Sequence, residues 1–418
     1  MTQALRRAAD TAPRQLFGTT PAQRVALARR QFFEEGVRPS GLVGEAVIQS
    51  WMRCRRSHED TRRIVAFDAV TPSRLHAALG RNRDLLDAAR SDLAAMEGAL
   101  AGTDCRVILT DREGVVLYVT QQPAAAHQPV LRQTARVGVN IAEQRVGTTA
   151  PGIVASTGQA CSVNGAEHYF EALREMHCAA APIHDVHGRL AGVLDLTVEA
   201  RRFGFDAASM IGLYATTIEN RLLQAQSGEH LVLRFQASPA LLGTPLEALA
   251  GIAADGTVAW LNDAAARLIG RLPLDEAERG VAGLLGHDLP ALLRLGRHDD
   301  AQPMRLASGL GVWMQARLKV TDGVDFRHAV AARPAAAQEP APPPALPERG
   351  AAQRAGEDVV DPAEETLREH GQRLVRQALA AHGGNVSGAA RALGVSRGTL
   401  YRRLRGGAQA PDSAPSRE

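Results

Sequence analysis

The sequence has almost no lysine: Lys319 is the only one among 48 basic side chains, and all the others are arginines. A P-loop, which cradles the phosphates of a nucleotide, requires a lysine after a glycine-rich turn. Lys319 lies in RLKVTDG, which has no such turn before it. This absence excludes a P-loop ATPase. The excess of arginine by itself indicates a coding bias rather than a function.

Cysteines, long apolar runs and catalytic motifs are equally scarce. The four cysteines (54, 105, 161 and 178) show no CxxC spacing, so we expect no disulfide framework. No run of 18 apolar residues occurs and the chain does not begin with an apolar segment, so we expect a cytoplasmic protein that does not enter a membrane. The chain also lacks GxSxG, HExxH and paired-acid motifs, so we expect neither an enzyme nor a bound cofactor.

The clearest signal lies near the C-terminal end, in the stretch NVSGAARALGVSRGTLYRRLR at residues 385–405. Asn385 is a good N-cap, and Val386, Ala390 and Leu393 then fall on one face at helical spacing. Gly394 suits the end of that helix, because glycine adopts the left-handed conformation without strain. Ser396 caps a second helix. The pattern predicts a helix-turn-helix.

The charge of this stretch indicates a nucleic acid partner. It contains five arginines and no acidic residue, although the whole chain has a net charge of only +3. An arginine-rich second helix behind a tight turn is typical of a helix that enters the major groove. We expect Arg402 and Arg405 to contact base edges, with Thr399 and Tyr401 beside them. Arg397 and Arg403, nearer the backbone-facing side, should neutralise phosphates. A helical hairpin with a solvated basic face is the alternative.

The stretch also resembles the Fis-type helix-turn-helix family, whose AAxxLGvSRxTLYRRL pattern it matches almost throughout. The resemblance implies binding to double-stranded DNA. We expect a homodimer, because one short helix contacts too few bases for genomic specificity.

The first half of the chain predicts an α+β domain. Two helical pieces, 22–33 and 48–54, precede a long helix over 75–101. Strands and turns follow, and then a closing helix capped by Asp206. The predicted strands are 106–111, 115–119, 161–163, 178–183 and 189–197. We expect the closing helix to pack through Met210, Leu213, Tyr214, Thr217, Ile218 and Leu222.

Several motifs in this half resemble one family of input domains. VGTTAPGIVA, GAEHYF, CAAAPIHDVHG and LAGVLDLT resemble the GAF-type sensor of sigma-54-type activators of the acetoin-catabolism-regulator kind, and IQSWMRC resembles its entry segment. The resemblance implies a sensor domain and a small-molecule effector. The family's usual GTNAxG motif differs here, because Thr149 replaces its asparagine.

A second, smaller unit follows the sensor. The residues 249–269 predict a strand, a tight turn at Asp255-Gly256, a strand and a helix, which resembles the opening of a PAS domain, and 310–320 predicts a later strand. Seven prolines then mark a linker. The predicted boundaries are 1–70 for a helical segment, 71–227 for the sensor, 228–332 for the PAS-like unit, 333–363 for the linker, 364–406 for the helix-turn-helix and 407–418 for a disordered tail.

The linker stands where the resembling family has an ATPase domain. We therefore expect the family's contact with the sigma-54 polymerase to be lost, so that the protein acts on RNA polymerase only indirectly.

A cluster of histidine and cysteine side chains falls within the sensor. It comprises His168, His177, Cys178, His184 and His187. The spacing fits no zinc finger or ribbon, so a metal site or a redox role for Cys178 is a minor alternative to ordinary turn and core positions. We interpret Asp185 and Asp195 as turn and strand-end residues.

Together these features predict a multidomain α+β protein with an all-α DNA-binding end. Its predicted function is transcription regulation in response to a small metabolite. The alternative is a Fis-like architectural protein that bends DNA and uses its front half only to dimerise.

Overall fold

The computed structural model describes residues 20–121 and 128–318, together with nine residues between 377 and 393. The chain divides into two compact units, Met1–Leu223 and Gln224–Glu418. No helix in the described part of the chain is long and apolar enough to cross a membrane.

Four helices open the first unit: α1 Pro21–Arg29, extended by a π-turn over Arg30–Glu34, α2 Glu45–Ser57, α3 Pro72–Arg81 and α4 Arg83–Ala99. A capping box starts α1, because the side chains of Thr20 and Gln23 each accept from the other's backbone N–H. The prediction of a single helix over 75–101 was wrong, because α3 and α4 cover this range. The helix breaks at Asn82, whose side-chain amide donates to the carbonyl of Ala78 at 2.8 Å.

A five-stranded antiparallel sheet forms the centre of the first unit. Its strands are β1 Arg106–Asp111, β2 Val116–Val119, β3 Cys161–Asn164, β4 Met176–His184 and β5 Leu190–Glu199, in the order β2-β1-β5-β4-β3. Short helices α5 Pro129–Thr134, α6 Glu143–Val146 and α7 Ala150–Thr157 precede β3, and 3-10 turns cover Gly165–Glu167 and Glu171–Leu173. The predicted strands and both hairpins are confirmed.

Each face of this sheet has its own core. On one face Leu194 and Leu196 of β5 pack with α3, α4 and the closing helix, α8 Ala207–Gln226. On the other, Val193 packs with residues of α1, α2, α5 and α7. Residues before and after the predicted boundary at residue 70, such as Trp51 and Ile153, share this second core. The structure therefore shows no break in packing at that boundary.

The closing helix α8 spans Ala207–Gln226. The side chain of Asp206 accepts from the backbone N–H of Ser209 at 3.1 Å, which confirms the predicted cap. The predicted packing face was partly wrong: Leu213 is 50% exposed. The buried apolar positions are Ala207, Ile211, Ala215, Ile218, Leu222 and Leu223.

The second unit contains another five-stranded antiparallel sheet. Its strands are β6 Leu231–Gln236, β7 Ala248–Ile252, β8 Val258–Leu261, β9 Gln302–Arg305 and β10 Gly311–Leu318, in the order β8-β7-β6-β10-β9. Its helices are α9 Asp263–Ile269, α10 Val281–Leu285 and α11 Leu289–Leu295, with 3-10 turns at Pro239–Leu241 and Glu276–Glu278. The predicted strand, turn, strand and helix over 249–269 and the strand near 310–320 are confirmed.

Few residues near the C-terminal end are described. Val386 is helical directly after Asn385, and Ala390 and Leu393 are buried, as the helical spacing predicts. The predicted linker at 333–363 and tail at 407–418 lie outside the described residues.

Candidate functional site

A cavity of about 30 Å³ lies within the core that covers one face of the first sheet. Apolar side chains such as Phe67, Ile108 and Met176 form most of its wall. Six polar side chains interrupt this wall: Thr134, Thr149, His168, Cys178, Asp195 and Thr197. Among the described residues no Lys or Arg lines the cavity.

Asp195 is the most unusual of these side chains. It lies in the middle of β5, paired with Ile108 of β1 on one side and Ala180 of β4 on the other. It is only 1% exposed, and among the described residues Oδ1 has no hydrogen-bond partner. A buried polar atom without a partner costs free energy, so this oxygen is a candidate to bind a ligand.

The interpretation of Asp195 as a strand-end residue was wrong. Side chains alternate along a strand, and Leu194 and Leu196 face the helices α4 and α8. Asp195 therefore faces the opposite side, towards the cavity. Burial raises the pKa of Asp195 well above its usual range, which favours the protonated acid. A protonated carboxyl both donates and accepts a hydrogen bond. Asp185, in contrast, is confirmed as a turn residue, whose Oδ1 accepts from the backbone of His187 and Arg189 at 2.9 Å.

Cys178, His168 and Thr197 form a connected group beside Asp195. The Sγ atom of Cys178 lies 3.1 Å from Oγ1 of Thr197, its partner across the sheet, and 3.7 Å from Nε2 of His168. Nδ1 of His168 lies 2.9 Å from the carbonyl oxygen of Gly165. Since a carbonyl only accepts, Nδ1 carries the proton and Nε2 faces the thiol as an acceptor. Burial lowers the pKa of His168 to about 4 and raises the pKa of Cys178 well above its usual range, so both are neutral.

The predicted histidine and cysteine cluster is spread over several places. Only His168 and Cys178 line the cavity. Nδ1 of His177 lies 3.2 Å from Oδ1 of Asn164, and Nδ1 of His184 lies 2.9 Å from Oε2 of Glu219 in α8. Within the described ranges, no group of three or more His, Cys, Asp and Glu side chains is placed to hold a metal ion.

A second polar layer connects α2 to the helices beside the cavity. Arg53 binds Glu143 through two hydrogen bonds of 2.7 and 2.8 Å. Ser50 donates to the same carboxylate at 3.0 Å and lies 2.8 Å from Oγ1 of Thr148. Every member of this layer is satisfied, so it stabilises the wall rather than offering atoms to a ligand.

The predicted DNA contacts, Arg397, Thr399, Tyr401, Arg402, Arg403 and Arg405, lie outside the described residues. Their assignment therefore rests on the sequence pattern.

Two family models match this chain. The model for the N-terminal domain of MimR matches residues 19–212, and that for the Fis family of bacterial regulatory proteins matches residues 366–406. The chain carries a MimR-type N-terminal domain and a Fis-type helix-turn-helix. The whole cavity lies inside the MimR-type domain.

The homologues are transcriptional activators of the acetoin-regulator and MimR type. The acetoin catabolism regulatory protein of Cupriavidus necator is 29% identical over 53% of this chain and 34% of its own length. The propane 2-monooxygenase operon activator MimR of Mycolicibacterium smegmatis is 31% identical over 44% of this chain and 30% of its own length. This chain thus spans about a third of those relatives. Among solved structures, the DhaR N-terminal region of Escherichia coli, in complex with DhaL, matches 65% of this chain with 16% identity and a TM-score of 0.41.

Proposed function

We propose that this protein is a DNA-binding transcriptional regulator whose MimR-type domain is a GAF-type sensor for a small, uncharged, oxygen-containing molecule. The observation that carries this proposal is Asp195, a buried carboxyl with an unpartnered oxygen at the wall of a cavity. Thr197 lies on the same face of β5 and provides a second hydrogen-bonding group. Homology to transcriptional activators supports the regulatory role.

The chemistry of the cavity favours a neutral ligand. An anion would have to leave water without a cation to receive it, because no Lys or Arg is found among the described lining residues. Protonated Asp195 and Thr197 together suit neighbouring hydroxyl or carbonyl oxygens. One relative regulates acetoin catabolism and another a glycerol metabolism operon. Acetoin and glycerol both carry neighbouring oxygens on a short carbon chain, so they are suitable test compounds.

The output of the proposed regulator is DNA binding by residues 364–406 as a homodimer in the cytoplasm. Arg402 and Arg405 read base edges, with Thr399 and Tyr401 beside them, and Arg397 and Arg403 hold phosphates. The second unit, a PAS-like domain, lies between sensor and linker. Since the sequence holds no P-loop lysine motif, the protein reaches RNA polymerase only indirectly, and its effect on a promoter should persist in a strain without sigma-54.

The test measures thermal unfolding and calorimetric binding of the purified full chain with acetoin, glycerol and, as an anionic control, lactate. A ligand at a hundredfold excess over its Kd adds about 2.7 kcal/mol to the free energy of unfolding. We expect stabilisation by a neutral compound and none by lactate. Asp195→Leu should abolish it, whereas Asp195→Asn, which keeps a donor and an acceptor, should retain most of it.

Two outcomes would count against this proposal, the first against the site and the second against a sensor. One is equal stabilisation of the wild type and Asp195→Leu, which would place the ligand elsewhere. The other is no stabilisation by any neutral compound in the panel, together with bending of DNA by the protein alone. That result would favour the architectural alternative.

A further inference from the structure

One wall of the cavity is formed by a short segment that helices α1 and α2 hold from outside. This wall segment comprises residues 165–170, and His168 is its contact with the cavity. Gly147 of the neighbouring loop fixes how closely the segment approaches. Its φ of 71° favours glycine, and an added Cβ would lie 2.8 Å from the ring of Phe170.

Four consecutive backbone carbonyls of the wall segment accept hydrogen bonds from two side chains. Arg29, the last residue of α1, donates to the carbonyls of Ala166 at 3.1 Å, His168 at 2.8 Å and Tyr169 at 3.3 Å. Trp51 of α2 donates through Nε1 to the intervening carbonyl of Glu167 at 2.7 Å.

Burial of Arg29 costs free energy, because its charged guanidinium is removed from water. It is 8% exposed, and among the described residues its guanidinium donates to carbonyl oxygens rather than to carboxylates. Desolvation lowers its pKa to about 10, so the side chain is still charged at neutral pH. The rings of Phe33 and Trp51 lie 4.6 and 5.8 Å from its guanidinium carbon and contribute cation–π attraction. Simple core packing would be served better by an uncharged side chain, since a buried charge without an opposite partner is costly.

We infer that Arg29 is a positioning residue for the cavity: it fixes the wall segment, and through it His168, so that access to the cavity depends on the placement of α1. The inference that this access is ligand access rests on the proposed function. The holding of the wall by Arg29 is testable without any ligand, because Cys178 lines the same cavity and is buried.

The experiment follows alkylation of Cys178 by iodoacetamide in the purified full chain, with peptide mass spectrometry to separate the four cysteines. Cys105 is the internal reference, because it is buried in the core on the other face of the sheet. Arg29→Met keeps the length of the side chain and removes its charge and donors. Arg30→Met is the matched control, since Arg30 is 57% exposed and pairs only with Glu35 among the ion pairs of the described residues.

Loss of three hydrogen bonds from a charged donor should increase the labelling rate of Cys178 relative to Cys105 by about tenfold or more. Arg29→Lys should give an intermediate rate, and Arg30→Met the wild-type rate. Trp51→Phe removes the bond to Glu167 and part of a buried ring, but leaves the three bonds of Arg29 in place. It should give a smaller rise and serves if Arg29→Met does not fold.

An unchanged ratio of Cys178 to Cys105 labelling in both Arg29→Met and Trp51→Phe would overturn the inference. So would an equal rise at both cysteines, which reports global opening. A separate measurement asks whether a neutral test compound slows the labelling of Cys178 in the wild type. The absence of such protection would count against the proposed ligand and leave the role of Arg29 standing.

Discussion

The two sheets of this chain have the same number of strands and are both antiparallel, but two buried carboxyl groups beside them, Glu247 and Asp195, are bonded in opposite ways. In the second unit, Glu247 is bound by Nε and Nη2 of Arg234 at 2.9 and 2.7 Å and by the backbone N–H of Gly243 at 2.7 Å. In the first unit, Oδ1 of Asp195 has no partner among the described residues. A satisfied carboxylate specifies one packing arrangement, whereas an unsatisfied one at a cavity wall is available to a ligand.

The same isosteric change should therefore have opposite signs in the two units. Glu247→Gln leaves Arg234 nearly buried, with a side-chain exposure of 15%, beside a neutral amide. We expect a loss of about 3–5 kcal/mol in the free energy of unfolding of the second unit, as for other broken buried pairs. Urea unfolding followed by circular dichroism measures it. The double variant Arg234→Met, Glu247→Met should recover most of the loss, and failure to recover would show that packing rather than charge was disrupted.

Asp195→Asn should instead stabilise the first unit at neutral pH. The folded state raises the pKa of Asp195, so it holds a proton that the unfolded chain releases above a pKa of about 3.9. With respect to this group, the wild-type protein is therefore most stable at low pH and loses stability as the pH rises towards the folded-state pKa of Asp195. We expect Asp195→Asn to raise the free energy of unfolding by about 1–3 kcal/mol relative to the wild type at pH 7.5. This advantage should disappear near pH 4, where the side chain is neutral in both proteins.

Thermal unfolding of both proteins across that pH range makes the comparison. An advantage that does not change with pH would mean that the carboxyl is not protonated in the folded state.

Two arginines of the predicted helix-turn-helix allow a further comparison, between a predicted base contact and a predicted phosphate contact. Arg402→Ala should cost about 1–3 kcal/mol at the cognate site and relax preference at one base position. Arg397→Ala should weaken binding to all sequences alike and lower the slope of log K against log salt by about 0.9. Fluorescence anisotropy with cognate and scrambled DNA over a salt series separates the two. Equal weakening of both DNAs by Arg402→Ala would show that this arginine does not contact a base edge.

Exposed charge pairs provide the lower limit for these comparisons. Arg90 of α4 lies 2.5 Å from Asp87, with 79% of the Arg90 side chain exposed. Because solvent and salt screen such a pair, Arg90→Gln should change the free energy of unfolding by less than about 0.5 kcal/mol. A larger loss by urea unfolding would mean that position 90 has a structural role that its exposure does not indicate.

Turn chemistry and alternation made much of the fold predictable. The hairpin at 111–115 forms because Oδ1 of Asp111 accepts from the backbone of Glu113 and Val115, and α7 ends where Gly158 adopts the left-handed conformation. The face of α8 was harder to predict, because Leu213 and Ile211 are similarly apolar and only the neighbouring elements decide which one is buried.

The site was harder to predict for the same reason. The alternation of GVLDLT already places Asp195 opposite Leu194 and Leu196. The sequence could not show that the opposite face is also covered, since that cover comes from α1, α2 and the loops, far away along the chain. Arg29 was missed because its partners are main-chain oxygens some 137 to 140 residues distant.

That last feature has an evolutionary consequence. Every residue type supplies the same carbonyl oxygen, so the bonds from Arg29 and Trp51 place no requirement on the side chains of the residues whose carbonyls accept them. Selection for these hydrogen bonds would act on the two donor residues and would produce no compensating substitutions at the acceptor positions. Covariation analysis detects side chains that change together, so it would not detect these long-range hydrogen bonds of the domain.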